Sequence, residues 1–186
     1  GAVDSNKAGT LAVMAYLGGV KIESDCTGSG AVAGDIVQTA LNYANDVPAA
    51  DGETDPALAK KIYHEAMPQF NGSSGDTSYV VTDCGRFVST VYHASGADTD
   101  FPAVGVGSMI TYMDGSAKYK ALGAIQFADL KPGDILATPG HIILFTGENG
   151  DYAAADASLN QRVPSVRKPG SPMSMLSDGA LVWRLK

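Results

Sequence analysis

Apolar residues at 36, 37, 40, 41 and 44 recur at helical spacing and predict a first helix, with Asp35 as its N-cap. A second helix is expected in "TDPALAKKIYHEAMPQF". Asp55 caps it, Pro56 takes the first helical position, and Leu58, Ile62, Ala66 and Met67 form its apolar stripe. Pro68 is expected to end it. A third stripe, at 87, 88, 91, 92 and 94, begins behind Cys84 and stops at Ser95-Gly96. The stretch 97–128 mixes short apolar runs with glycine and shows no single period. From Ala128 the texture changes to turn and strand in alternation, in "ADLKPGDILATPGHIILFTGENGDYAAADAS". "KPGD" and "TPG" are turn signals, "NG" is a strong hairpin signal, and the tail "ALVWRLK" suits a last strand. Helices lead and an antiparallel sheet follows, so the expected class is α+β.

Composition narrows what such a domain can do. The chain has 186 residues, 45% of them hydrophobic and 18% charged, enough for one domain with a real core. Its net charge of −7 argues against nucleic acid and against electrostatic docking on anionic membranes or wall polymers. No run reaches the roughly 18 apolar residues that span a bilayer. "GTLAVMAYLGGV" (9–20) reads as a short helix or surface segment, and "SDCTGSGAVAGD" (24–35) as a glycine-rich linker. Residues 1–34 are therefore an expected extension, with the folded domain at 35–186. The only cysteines, Cys26 and Cys84, form neither a disulfide framework nor a zinc pattern, although one bridge between them stays open.

Cys84 poses the chemical question. A lone cysteine is commonly a small buried hydrophobe. Placed at a helix start beside an imidazole, however, its thiolate is favoured and it becomes a nucleophile. Among the histidines, His64 and His93 fall inside predicted helices, where surface or boundary roles are usual. His141 opens "HIILFTG", the most apolar strand, so its ring can face a cleft while the strand packs behind it. A histidine base needs a third group to orient it. A two-residue turn at Asn149-Gly150 sets His141 opposite Ser158, with Asp156 diagonal to it on the same face. A four-residue loop at 147–150 sets Asp156 directly opposite, and a five-residue loop sends it to the other face. Asp156 also sits among alanines, where a carboxylate needs a partner. It could alternatively cap a turn, and Asn160 is the reserve candidate.

"TDCGRFVSTVYHASG" followed by "ADLKPGDILATPGHIILFTGENGDYAAADAS" resembles the NlpC-type papain-like cysteine peptidases that cut peptidoglycan stem peptides, over residues 79–160. The resemblance implies a papain-like fold with N-terminal helices packed on a central antiparallel sheet and a helical insert at about 47–72. It implies Cys84 as nucleophile, His141 as base and Asp156 as the orienting residue. Asp83 would then bind the free amino end of a stem peptide, with Gly85, Arg86 and Tyr79 as further substrate-binding positions; Tyr43 is the alternative to Tyr79. Gly85 stands where the family usually has serine, and the charged Arg86 follows it. The implied protein is a monomeric peptidoglycan hydrolase, extracellular or wall-associated, with a stem peptide as its partner. There is no H-E-x-x-H and no third histidine near His141, so no metal or cofactor is expected. Two alternatives stay open: a catalytically inactive wall-binding domain on the same fold, and a cysteine acyltransferase or an amidase of the related CHAP type.

Overall fold

A computed structural model describes residues 33–44, 61–70, 82–158 and 163–186 of the chain. Among the described residues, four helices come first: α1 (Ala33–Ala44), α2 (Lys61–Phe70), α3 (Cys84–Ala94) and α4 (Val106–Gly115). Then follow β1 (Tyr119–Gly123), a 3-10 turn at Phe127–Asp129, β2 (Ile135–Thr138), β3 (His141–Asn149), β4 (Tyr152–Ala157) and β5 (Pro164–Arg167). Helix α5 (Gly170–Ser177) and β6 (Leu181–Leu185) complete the described chain. The strands form one antiparallel six-stranded sheet in the order β1-β6-β2-β3-β4-β5. The class is α+β, and no helix among the described residues is long and apolar enough to cross a membrane.

The period-2 alternation of the strands sends side chains to two separate cores. Ile135, Ile142, Leu144, Ala155 and Trp183 belong to the larger core, shared with α1–α4. Leu136, Ile143, Phe145, Ala154 and Val182 belong to the smaller one, on which the 3-10 turn and α5 pack. The buried aspartate of "KPGD" closes the sheet's middle. Asp134 accepts Nε and Nη2 of Arg184 at 2.6 and 2.7 Å and the amide of Lys131 at 2.8 Å. One carboxylate thus ties the turn before β2 to β6.

Several expected boundaries move. Helix α1 begins at Ala33, so Asp35 is not the cap; it stands in the first turn, where a carboxylate still meets the positive end of the helix dipole. Helix α2 passes Pro68 and ends at Phe70, because a proline this near the end removes one amide bond and only the last turn follows. The expected cap Asp55 lies outside the described residues, as do Cys26, Tyr79, Asn160 and most of the 1–34 extension. The segment expected as an insert carries part of the main core. Tyr63 is fully buried, packed edge-on to Tyr43 at 5.4 Å and tilted against Phe87 at 6.0 Å. Neither β5 nor α5 was foreseen. The unread stretch 97–128 contains α4 and β1.

The β3–β4 hairpin turns at Gly150-Asp151, one residue later than expected, with Asn149 paired to Tyr152. The register then shifts before Phe145↔Ala154 and Leu144↔Ala155. Gly147, at φ +88°, stands in this bulge, and a Cβ there would meet Cγ of Pro132 at 3.0 Å. The shift takes up two residues, an even number, so every side chain beyond it keeps the face that a turn at Asn149-Gly150 would have given it.

Asp98 holds the loop after α3. Its carboxylate accepts the hydroxyls of Tyr112 and Tyr119, both at 2.9 Å, the ammonium of Lys118 at 2.5 Å and the amide of Asp100 at 3.1 Å. Burial opposes its charge, but these donors prevail and hold the carboxyl below its ordinary value. Replacing Asp98 by alanine should cost about 2–4 kcal/mol, because the two tyrosine hydroxyls lose their acceptor in a buried aromatic cluster. Urea melts at neutral pH check this. Since the folded pKa is depressed, the contribution is present above the unfolded carboxylate pKa and is lost as pH falls through the folded one. The difference between wild type and Asp98→Ala should therefore shrink in strong acid.

Candidate active site

Asp83 starts the site. In extended backbone (φ −137°, ψ 179°), its Oδ1 accepts the amide of Arg86 at 2.7 Å and its carbonyl accepts that of Phe87 at 3.0 Å. The cap fixes where α3 begins and makes Cys84 its first residue. Cys84 is a half-buried free thiol. The amides of Cys84 and Gly85 belong to the first turn of α3, at the positive end of its dipole. Phe87, Val88, Val91 and Tyr92 are fully buried and anchor the helix in the larger core.

The approach to Cys84 is anchored from α2. The Tyr63 hydroxyl is hydrogen-bonded to Thr82 Oγ1 at 2.5 Å, and both residues are fully buried. The segment expected as an insert therefore grips the chain two residues before Cys84.

His141 is the first residue of β3, paired with Thr138 across the Pro139-Gly140 turn. Its Nε2–H donates to Asp156 Oδ2 at 2.7 Å. Cys84 is its second hydrogen-bond partner, and with Nε2 engaged Nδ1 is the nitrogen left for the sulfur. The bonds to Asp156 and Cys84 outweigh burial and push the imidazole up to about 9. It is therefore an imidazolium at neutral pH, held between a carboxylate and the thiol. Continuing the register beyond Leu144↔Ala155 places Asp156 opposite Ile143, diagonal to His141 on the face that α5 covers.

Asp156 is 2% exposed and carries a second partner: its Oδ1 accepts Nε–H of Arg167. Arg167 was not anticipated. Strand β5 sets it opposite Ala154, diagonal to Asp156, and the sequence between β4 and β5 shows no clear pattern from which that register could be read. The available signal was the carboxylate itself, since a buried aspartate facing one imidazole leaves an oxygen to satisfy. His141, Asp156, Ser158, Arg167, Ser171 and Ser174 line a cleft of about 310 Å³ beneath α5.

The structure thus brings Cys84, His141 and Asp156 into one chain of hydrogen bonds. Other candidates have different surroundings. Gly85 is buried, and a Cβ there would meet Met109 Cε at 3.0 Å and the Val104 carbonyl at 3.1 Å. Glycine at this position lets α3 pack closely on the start of α4 rather than exposing backbone to a ligand. Arg86 is 8% exposed, and its charge lies near the Tyr63 hydroxyl. Tyr43 is buried in the main core. Of the other histidines, His64 lies on α2, and His93 Nε2 is hydrogen-bonded to the Phe101 carbonyl at 2.7 Å. Among the described residues, no three His, Cys, Asp or Glu are grouped to hold a metal.

Comparison of the chain with protein-family models, curated proteins and solved structures finds no match. What the site can do is read from its geometry: a thiol at a helix start, an imidazolium and a buried carboxylate in series are the parts of nucleophilic acyl transfer.

Two outcomes follow. In an NMR titration, the His141 ring should change charge near pH 9, and Asp156→Asn should bring the midpoint down toward the ordinary histidine value. Because the folded pKa is raised, His141 contributes stability fully below about pH 6.5, and this is lost as pH rises through about 9. That alkaline decline should flatten in Asp156→Asn. Separately, Gly85→Ser should destabilise the fold by about 1–3 kcal/mol, since the added atoms press on Met109 and a backbone carbonyl. Wild-type stability in the serine variant would show that α3 and α4 are less closely packed than described.

Proposed function

We propose that the protein is a cysteine hydrolase that cleaves an amide bond in peptidoglycan stem peptides. The observation that carries the hydrolase reading is the linked set Cys84, His141 Nε2 and Asp156 Oδ2, with the 2.7 Å bond at its centre. The wall substrate rests on the resemblance of "TDCGRF" and "LKPGDILATPGHIILFTG" to the NlpC-type peptidases, and with it the papain-like reading of the fold and a place outside the cell.

In this mechanism, the Cys84 thiolate attacks the amide carbon and the carbonyl oxygen becomes an oxyanion. The amide of Cys84, at the positive end of α3, donates to it. His141 then gives its Nδ1 proton to the departing nitrogen, the carbon–nitrogen bond breaks, and an amine leaves a thioester on Cys84. The neutral imidazole takes a proton from water, the hydroxide adds to the thioester, and the carboxylic acid departs as the thiolate and imidazolium reform. Asp156 stays ionised and orients the ring. Asp83 spends Oδ1 on the helix cap, and Oδ2 is the oxygen that would take the ammonium of a stem peptide.

Purified muropeptides incubated with wild type and Cys84→Ala, with products followed by mass, test this. Wild type should hydrolyse one amide, and the alanine variant should lose at least about 10³-fold in rate. Equal cleavage by both would remove Cys84 from the mechanism, and no cleavage by wild type would sink the proposed substrate.

A further inference from the structure

The geometry points to Arg167 as a positioning residue that holds the Asp156 carboxylate between two cations, so that Oδ2 is always the oxygen facing His141. This rests on the reading of Cys84, His141 and Asp156 as a catalytic set.

A carboxylate bonded through one oxygen alone can turn about its side chain and present either oxygen. Asp156 is denied that freedom, because its Oδ1 is bonded to Arg167 Nε from β5 while its Oδ2 is bonded to His141 Nε2 from β3. The two donors come from the strands on either side of β4, and both reach Asp156 on the diagonal of one sheet face. Asp156 is 2% exposed, whereas the Arg167 side chain keeps 22% of its surface open to the cleft. Arginine suits the task because its planar fork fixes direction as well as charge.

Arg167 has an electrostatic effect of definite sign. It is a cation sharing the carboxylate with the imidazolium, so it makes His141 easier to deprotonate than Asp156 alone would, and the ring can surrender its proton to a leaving amine. The groups facing His141 are Cys84 from α3, Asp156 from β4 and, through Asp156, Arg167 from β5. Helix α5 brings Ser171, Ser174 and Met175 to this cleft, and β2 pairs Thr138 with His141; none of these titrates in the range concerned.

Arg167→Gln and Arg167→Lys test the assignment, with thermal melts to establish folding. In Arg167→Gln, the NMR midpoint of His141 should rise by about 0.5–1 pH unit, since a nearby cation is removed. Turnover on muropeptides should fall by about 10–100-fold with KM changed less than about twofold, as expected when geometry rather than binding is lost. Arg167→Lys keeps the charge, so it should hold the midpoint within about 0.3 unit of wild type while recovering turnover only in part. An Arg167→Gln variant with wild-type midpoint and turnover overturns the proposal, as does a midpoint that falls. Where the glutamine variant does not fold, the lysine variant decides: reduced turnover at an unshifted midpoint supports the positioning role, and full turnover overturns it. Should wild type cut no muropeptide, the midpoint shift in Arg167→Gln still reports on Arg167 by itself, so loss of the hydrolase reading and loss of this one are distinct results.

Discussion

The carboxylate of Asp156 is the group around which the site is organised. A buried anion is costly unless it is paired and hydrogen-bonded. Asp156 sits at 2% exposure on a strand otherwise made of tyrosine and alanine, so almost all its compensation comes from two side chains. His141 supplies one donor and Arg167 the other. Each comes from a neighbouring strand, so the pairing of Asp156 depends on β3, β4 and β5 all being in register. The dependence also runs outward. The imidazole is pushed up to about 9 by Asp156 and Cys84 together, and the thiol finds its partner where that ring stands. Removing the carboxylate would leave the ring with Cys84 as its remaining partner and take away the largest cause of its raised pKa.

How much of this could be read in the chain depends on the range of each interaction. Helix α3 and its start at Cys84 were legible, because the apolar stripe and the preceding aspartate are local signals. So was the relation of His141 to Asp156, although by a different route from the one expected. The hairpin turns at Gly150-Asp151 and then takes up two residues in the Gly147 bulge, and an even displacement preserves faces. A displacement of one would have sent Asp156 into the opposite core. Arg167 was not legible, because the sequence between β4 and β5 shows no clear pattern from which its register could be read. Helix α2 was recognised as a helix but not as core, since nothing in its spacing tells whether Tyr63 faces Phe87 or solvent.

Gly85 and Arg86 show how a departure from a motif can have a structural origin. Both look like changes in a binding surface when set against the NlpC-type motif that this stretch resembles, where serine is usual. In the fold, Gly85 lies 3.0–3.3 Å from Met109 and Val104 at the position where a Cβ would stand, and Arg86 is buried near Tyr63. Close approach of α4 requires the first, and the second belongs to the packing of α2 against α3. The pair therefore bears on where Cys84 is held more directly than on what it meets.

The meeting of Cys84 and His141 across a sheet imposes a further constraint. Cys84 belongs to the α3 side, packed against the larger core, whereas Asp156 and Ile143 lie on the α5 side. A histidine in the middle of β3 on the Asp156 face would be separated from α3 by the sheet itself. At the first position of the strand the sheet has ended, and one ring can touch a carboxylate on one face and a sulfur arriving from the other. His141 occupies that position because Pro139-Gly140 turns the chain immediately before it. The turn, rather than the strand, is what admits Cys84 to the site.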